Sequence, residues 1–240
     1  MQLRSDIDSS PLEIRCLYMD KINYYNISRE ELKVVDSLPK KPSILLHVCC
    51  GPCSCFPLID VCPHFDVTIY YNNSNIYPKA EFDKRLVELK KVIKNMKDDH
   101  GYDIKLIVPP YDNDEYNKDL EPYKDMPEGQ LRCFICYEKR MDEAYKYAED
   151  HGFDYFTTIM TVSKQKNSQV LNSIGQKLSI KYPKTKYYFS DFKKKDGNLI
   201  GNRIAEEYKL YRQLYCGCKY TYEDGLRREK ERQEKQNGIH

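Results

Sequence analysis

Short apolar runs alternate along this chain with longer stretches in which apolar residues recur every three or four positions, the signature of strands alternating with amphipathic helices. Ile44-Leu45-Leu46-His47-Val48 is a compact apolar run ending in Cys-Cys-Gly-Pro, which predicts a buried strand entering a tight loop. Val67-Thr68-Ile69-Tyr70-Tyr71 predicts a second strand, β-branched and aromatic, that ends in the polar loop Asn72-Asn73-Ser74-Asn75. Between Glu81 and Asp99 the residues Phe82, Leu86, Leu89, Val92, Ile93 and Met96 mark one helical face, and Gly101 stops it. A third strand is predicted at Ile104 to Val108, closed by Pro109-Pro110. An acidic segment then runs to about Gly129, with Pro122 and Pro127 breaking any long helix. Helix is predicted again from Leu131 to Asp150, strand from Phe153 to Met160 and helix from Lys166 to Tyr182. A short strand from Lys186 to Phe189 and a helix from Leu199 to Tyr211 complete the series. This alternation predicts a three-layer α/β fold with a mostly parallel sheet.

The flanks read differently. Residues 1–40 carry Ser-Pro, Asn-Tyr-Tyr and Leu-Pro-Lys-Lys-Pro breaks around short helical patches, so residues 1–42 are expected to form an N-terminal extension. Residues 43–220 would be the catalytic domain. Residues 221–240, rich in both signs of charge, would be a solvated helix running into disorder rather than a nucleic-acid arm. At 240 residues one moderate domain with extensions fits, and two full domains would be cramped. No apolar run approaches the roughly 18 residues of a membrane span, and the first residues lack the basic-then-apolar order of a signal peptide. A soluble cytoplasmic protein with no membrane partner is expected. With 39 Lys+Arg against 37 Asp+Glu there is no global basic field, so a nucleic-acid partner would be held by a local patch and by shape.

The 10 cysteines are too many to be incidental, yet too few for a disulfide-stapled secreted domain. Most fall in three tight groups: Cys49, Cys50 and Cys53; Cys133 and Cys136; Cys216 and Cys218. Cys16, Cys55 and Cys62 stand apart and read as ordinary small buried residues. The first group lies just beyond the first strand, where open α/β sheets bind ligands. A turn at Gly51-Pro52 lets adjacent sulfurs converge on one multi-iron object. Cys133 and Cys136 at a helix start share one side, where exposed amides and the helix dipole favour ionised thiols; their spacing suits zinc or an iron–sulfur cluster equally. A bridge across Cys216-Gly217-Cys218 would close a small strained ring that is easily reduced, the alternative being two more metal ligands. His47, His64, His100 and His151 show no mutual ligand spacing, and His240 ends the tail. The chain lacks a Ser-Gly-Gly-x-Asp-Ser pyrophosphate loop, a Gly-rich phosphate loop with Lys-Ser/Thr, and the Cys-x3-Cys-x2-Cys of radical enzymes, so nucleotide activation loses weight.

Five stretches occur together in one order. They are Leu45-Leu46-His47-Val48-Cys49-Cys50-Gly51-Pro52-Cys53; Asn75-Ile76-Tyr77-Pro78 with Glu81-Phe82 and Arg85-Leu86; Arg132-Cys133-Phe134-Ile135-Cys136-Tyr137; Phe156-Thr157-Thr158; and Leu210-Tyr211-Arg212-Gln213-Leu214-Tyr215-Cys216-Gly217-Cys218. In these the chain resembles the epoxyqueuosine reductase QueH family, from about Ser43 to Tyr220. The resemblance implies a Rossmann-like three-layer fold related to the adenine-nucleotide alpha hydrolase-like superfamily. It also implies a [4Fe-4S] cluster and reductive removal of the epoxide oxygen from epoxyqueuosine at the tRNA wobble position, the last step of queuosine biosynthesis. By position, Cys49, Cys50, Cys133 and Cys136 would hold the cluster and Cys216 and Cys218 would be a redox-active pair. Cys53 lies where a ligand of a second, mononuclear metal ion would sit. Ser74 stands where Pro is expected before Asn75-Ile76. The substrate tRNA would splay its wobble base, with Tyr71, Asn73, Asn75 and Tyr77 as candidates to pack or read it. Lys164, Lys166, Arg203 and Arg212 are candidates to meet phosphates or, equally, to be merely solvated. An external electron donor would be required. Two other classes share the features: a nucleotide-activating tRNA-modification enzyme of the same fold, and a zinc-stabilised tRNA-binding module without catalysis.

Overall fold

The structure is a computed structural model that describes residues 21–236. Five parallel strands form one sheet: β1 (Ser43–His47), β2 (Asp66–Tyr70), β3 (Lys105–Ile107), β4 (Tyr155–Thr158) and β5 (Lys186–Tyr187), in the order β3-β2-β1-β4-β5. The central strands are apolar along their whole length because both faces are covered. Ile44, Leu46, Val67 and Ile69 enter one core with Leu58 and Leu89, while Leu45, Tyr70 and Phe156 enter the other with Met141, Ala144 and Leu171. The result is the expected Rossmann-like three-layer α/β fold. The chain runs outward from β1 through β2 and β3, then returns to the other side of β1 as β4. The direction of winding therefore reverses between the carboxyl ends of β1 and β4, where His47 is paired with Thr158.

The helices are α1 (Tyr24–Asp36), α2 (Gly51–Val61), α3 (Lys79–His100), α4 (Asn113–Asn117), α5 (Leu131–Asp150), α6 (Ser168–Lys181), α7 (Gly197–Glu207) and α8 (Tyr222–Gln236). The predicted fourth strand is shorter than Phe153 to Met160, because a tight helical turn, Ile159–Val162, begins as soon as β4 ends. The loop expected after the first strand is in fact the start of α2. Gly51, Pro52 and Pro57 read as breakers, yet Pro52 occupies the first turn, where a missing N–H removes no intrahelical bond. Gly51 is required by packing: a Cβ there would come within 2.8 Å of the Glu88 carbonyl on α3.

Residues 24–36 are also more than an appended arm. Asn23 caps α1 by accepting from the Asn26 N–H, and Leu32 and Val35 enter the core. Arg29 makes a bidentate pair with Asp60 of α2 at 2.8 and 2.6 Å. The prolines at 39 and 42 mark a turn, not a packing boundary, since the apolar stripe of α1 needs the domain to cover it. Leu226 and the rest of α8 that follows are exposed. Among the described residues no helix is long and apolar enough to cross a membrane.

Candidate metal and redox site

Beyond β1, the Val48 N–H still donates to the Tyr70 carbonyl, and Cys50 then takes an extended conformation as the residue preceding α2. This turn brings the Sγ atoms of Cys49, Cys50 and Cys53 within 4.8 Å of one another, the one such group of three or more Cys, His or acidic donors among the described residues. The Cys49 and Cys50 sulfurs are 3.9 Å apart. Hydrogen bonding within the trio makes them share one negative charge: Cys49 is held well below the usual thiol range, while Cys50 is pushed up and Cys53 is pushed up to about 12. Gln213, on the segment after α7, directs its Nε2 to the Cys50 sulfur at 3.1 Å and to that of Cys53 at 3.8 Å.

Cys133 and Cys136 open α5 and are both buried on one side. The Gly129 N–H donates to the Cys133 sulfur at 3.2 Å, but burial outweighs it and pushes this thiol up, against the expectation that a helix start would favour its ionised form. The Tyr116 hydroxyl of α4 lies 3.3 Å from the Cys136 sulfur and donates to its carbonyl at 3.0 Å. The two thiols stand outside the tight trio, yet Cys49, Cys136 and Cys216 all lie within electrostatic reach of the same buried Arg140. All three cysteine groups therefore face one region.

The third group is clamped through its main chain. Arg85 of α3 donates from Nη1 to the Cys216 carbonyl at 3.0 Å and from Nη2 to the Tyr215 carbonyl at 3.2 Å, while its Nε pairs with buried Glu81 at 2.7 Å. The Tyr77 N–H donates to the Gly217 carbonyl at 2.7 Å, and the Tyr215 hydroxyl donates to the Tyr77 carbonyl. Gly217 has φ +123°, and a Cβ there would lie 2.9 Å from Arg85, so the residue must be glycine for both reasons. Cys218 is buried against Thr221, its Sγ 3.3 Å from Oγ1, and burial pushes its thiol up to about 11. All nine described cysteines are free thiols, Cys216 and Cys218 included. Cys55 and Cys62 are core residues, and burial pushes each thiol up to about 12. Cys16 lies outside the described residues.

The candidate base-reading residues are placed unevenly. Tyr71 is fully buried, packs in the core and donates its hydroxyl to the Phe82 carbonyl, so it is a structural residue and not a surface for a base. The amide loop folds back over β1. Asn73 donates to the Val48 carbonyl at 2.8 Å and Asn72 to the Arg140 carbonyl at 2.9 Å, while Asn75 is buried too. Ser74 accepts from the Asp112 N–H, and its carbonyl accepts from Asn113, which fastens α4 over the site. Tyr77 alone of the four is exposed, edge-on to Tyr222 with ring centroids 5.5 Å apart. Of the candidate cations, Lys166 is half-buried over the Tyr137 ring at 6.0 Å, and electrostatic interaction with Cys216 is the main cause that pushes its pKa up. Lys164, Arg203 and Arg212 are exposed, Arg212 donating to Asn202 at 2.7 Å.

Sequence reasoning missed Gln213, Arg85, Tyr116, His47 and Arg140. Gln213, Arg85 and His47 lie inside the motifs but carry no sign of which atoms they hold, and Arg140 stands one helical turn after Cys136. His47 places Nδ1 2.8 Å from the Thr158 hydroxyl, and burial holds its ring neutral, with a pKa down at about 3. Its Nε2, Asn72 Oδ1, Asn75 Oδ1, Thr157 Oγ1 and Arg140 Nε are buried without protein partners around the carboxyl ends of β1, β2 and β4. Each such atom calls for a partner that the chain's own side chains do not supply.

Residues 44–224 match the family model described as epoxyqueuosine reductase QueH. A protein of that name from Streptococcus pyogenes serotype M1 is 38% identical over 201 residues, covering 84% of this chain and 78% of its own length. One from Staphylococcus aureus is 34% identical over 217 residues and covers 90% of each chain. One from Thermotoga maritima is 30% identical over 183 residues, covering 75% of this chain and 90% of that one. The matched span starts within β1 and ends within α8, so it includes every cysteine of the three groups; by these matches the chain belongs to the epoxyqueuosine reductase QueH family.

Proposed function

We propose that this chain is an epoxyqueuosine reductase that removes the epoxide oxygen from epoxyqueuosine at the wobble position of tRNA and leaves queuosine. The observation that supports this reading is the convergence of three cysteine groups on the reversal point of a Rossmann-like sheet. The donor set fits an iron–sulfur centre: every candidate ligand is sulfur, which selects such clusters or zinc over hard cations, and unpartnered polar atoms surround it. Cys49, Cys50, Cys133 and Cys136 would hold a [4Fe-4S] cluster, with Cys53 as the ligand of a neighbouring metal ion. Such a centre supplies single electrons and an electrophile for the epoxide oxygen.

The chain's own residues do the rest. Conversion of an epoxide to an alkene consumes two electrons and two protons and releases the oxygen as water. Cys216 and Cys218 together carry that amount, because oxidation of the two thiols to a disulfide yields two electrons and two protons. An external donor then returns the pair to the dithiol. Lys166, beside Cys216, holds a proton near the oxygen that departs. Gln213 and Tyr116 orient Cys50 and Cys136, and Arg85 with the Tyr77 N–H fixes the loop of the pair. The exposed ring of Tyr77 offers a stacking surface to the splayed base, with buried Asn73 and Asn75 in the same loop, and the exposed Lys164, Arg203 and Arg212 would meet phosphates.

The test is anaerobic purification with iron, sulfide and zinc analysis, followed by nucleoside analysis of epoxyqueuosine-bearing tRNA after incubation with a reductant. Iron with sulfide and the appearance of queuosine are expected. Zinc alone without conversion would replace this reading with that of a tRNA-binding module.

A further inference from the structure

Arg140 is 2% exposed, and a guanidinium stays charged at any pH a protein meets. A buried charge is costly unless something offsets it. Yet the partners in contact with this one are neutral: Nη1 is 3.4 Å from Asn73 Oδ1, Nη2 is 2.8 Å from the Met160 sulfur, and Nε has no partner. Among the described residues no carboxylate forms an ion pair with it. On α5 it follows Cys133 by seven residues and Cys136 by four, so helical geometry puts it on the face that carries both thiols. The acidic side chains that would act on its charge when ionised are Cys136, Tyr116, Cys49 and Cys216, drawn from two helices and two loops. The acidic groups within electrostatic reach of this cation are therefore those of the cysteine site, two of whose members share its helix face.

We infer that Arg140 is the fixed counter-cation of the thiolate-ligated centre, a positioning residue that makes a site crowded with negative charge easier to reduce. A buried positive charge favours the state that carries one more electron, and net charge is among the factors that set the potential of a cysteine-ligated cluster. Lys166 differs from it because it is partly exposed, and water screens what it contributes. The inference rests on the iron–sulfur reading above, and its test separates the two.

Wild-type protein, Arg140→Met and Arg140→Lys are reconstituted anaerobically, their iron content is measured, and the midpoint potential is titrated optically with mediator dyes and dithionite. Arg140→Met is expected to hold iron while its reduction equilibrium falls at least tenfold, about 59 mV more negative for a one-electron couple. Arg140→Lys, which keeps the charge, should stay closer to wild type. An unchanged potential in Arg140→Met, or an Arg140→Lys potential as low as that of the Met variant, overturns the inference while leaving the iron–sulfur reading intact. If Arg140→Met takes up no iron, recovery of iron in Arg140→Lys supports the role of charge. Failure of both variants overturns it in favour of packing. A wild-type chain without iron removes the reading and the inference together.

Discussion

The two ends of the sheet are built from the same strands and treat their polar groups in opposite ways. At the amino end the strand-starting residues meet matched partners. Asp154 accepts from the Ser43 N–H at 2.8 Å and its hydroxyl at 2.7 Å, while Glu31 of α1 takes the Tyr155 hydroxyl at 2.6 Å and the Lys186 ammonium at 2.7 Å. At the carboxyl end His47, Asn72, Asn75, Thr157 and Arg140 each leave a buried polar atom unmatched, and the three cysteine groups crowd the same region. One edge pairs its polar groups within the chain and the other leaves several of them buried and unpaired. A folded chain tolerates such unmatched atoms where function requires them and where the rest of the fold is well satisfied.

The largest effect that would break this contrast comes from the ligands. Cys50→Ser or Cys133→Ser should lower iron content to roughly a tenth of wild type or less and abolish conversion of tRNA, since a metal site assembled from distant segments fails as a unit. Iron retained by both variants would remove the carboxyl edge from the chemistry. Next, Cys216→Ser should keep iron near wild type but abolish or sharply slow multiple turnover, because the remaining thiol cannot store two electrons; full steady-state conversion with a physiological donor would contradict that division. Arg85→Met should lower unfolding stability by about 3–5 kcal/mol, as it leaves Glu81 buried without its partner, and chemical denaturation would measure the loss. Asp154→Ala, at the other edge, should cost about 1 kcal/mol and leave iron content and turnover untouched. The smallest change carries the opposite sign: Thr157→Val should leave the iron-free chain unchanged or up to about 1 kcal/mol more stable, because it removes a buried hydroxyl that has no partner. If Thr157→Val destabilised as much as Asp154→Ala, the two edges would not differ as described.

What could be read from residues alone followed from what each signal depends on. Strand positions were visible because burial on both faces makes a strand uniformly apolar, and that property is local. The cysteine groups were visible because soft ligands are rare enough for their spacing to stand out. Helix α2 was hidden by Gly51, Pro52 and Pro57, whose meaning depends on the turn of helix they occupy and on the approach of Glu88 from α3. The amide loop read as a polar surface, whereas Asn72 and Asn73 direct their donors to the Arg140 and Val48 carbonyls, partners more than 20 residues away in sequence. Tyr116 and Arg140 could not be singled out, since their meaning lies wholly in what the folded chain places against them.

The grip on the Cys216–Cys218 loop has a consequence for chemical engineering of the site. Arg85 and Tyr77 hold main-chain carbonyls only. Nothing in that grip depends on the identity of the side chains at 216 and 218. Selenocysteine or a spin-labelled cysteine at the half-exposed Cys216 is therefore expected to preserve the backbone trace of the loop, making this position a port through which the electron relay proposed for it can be watched.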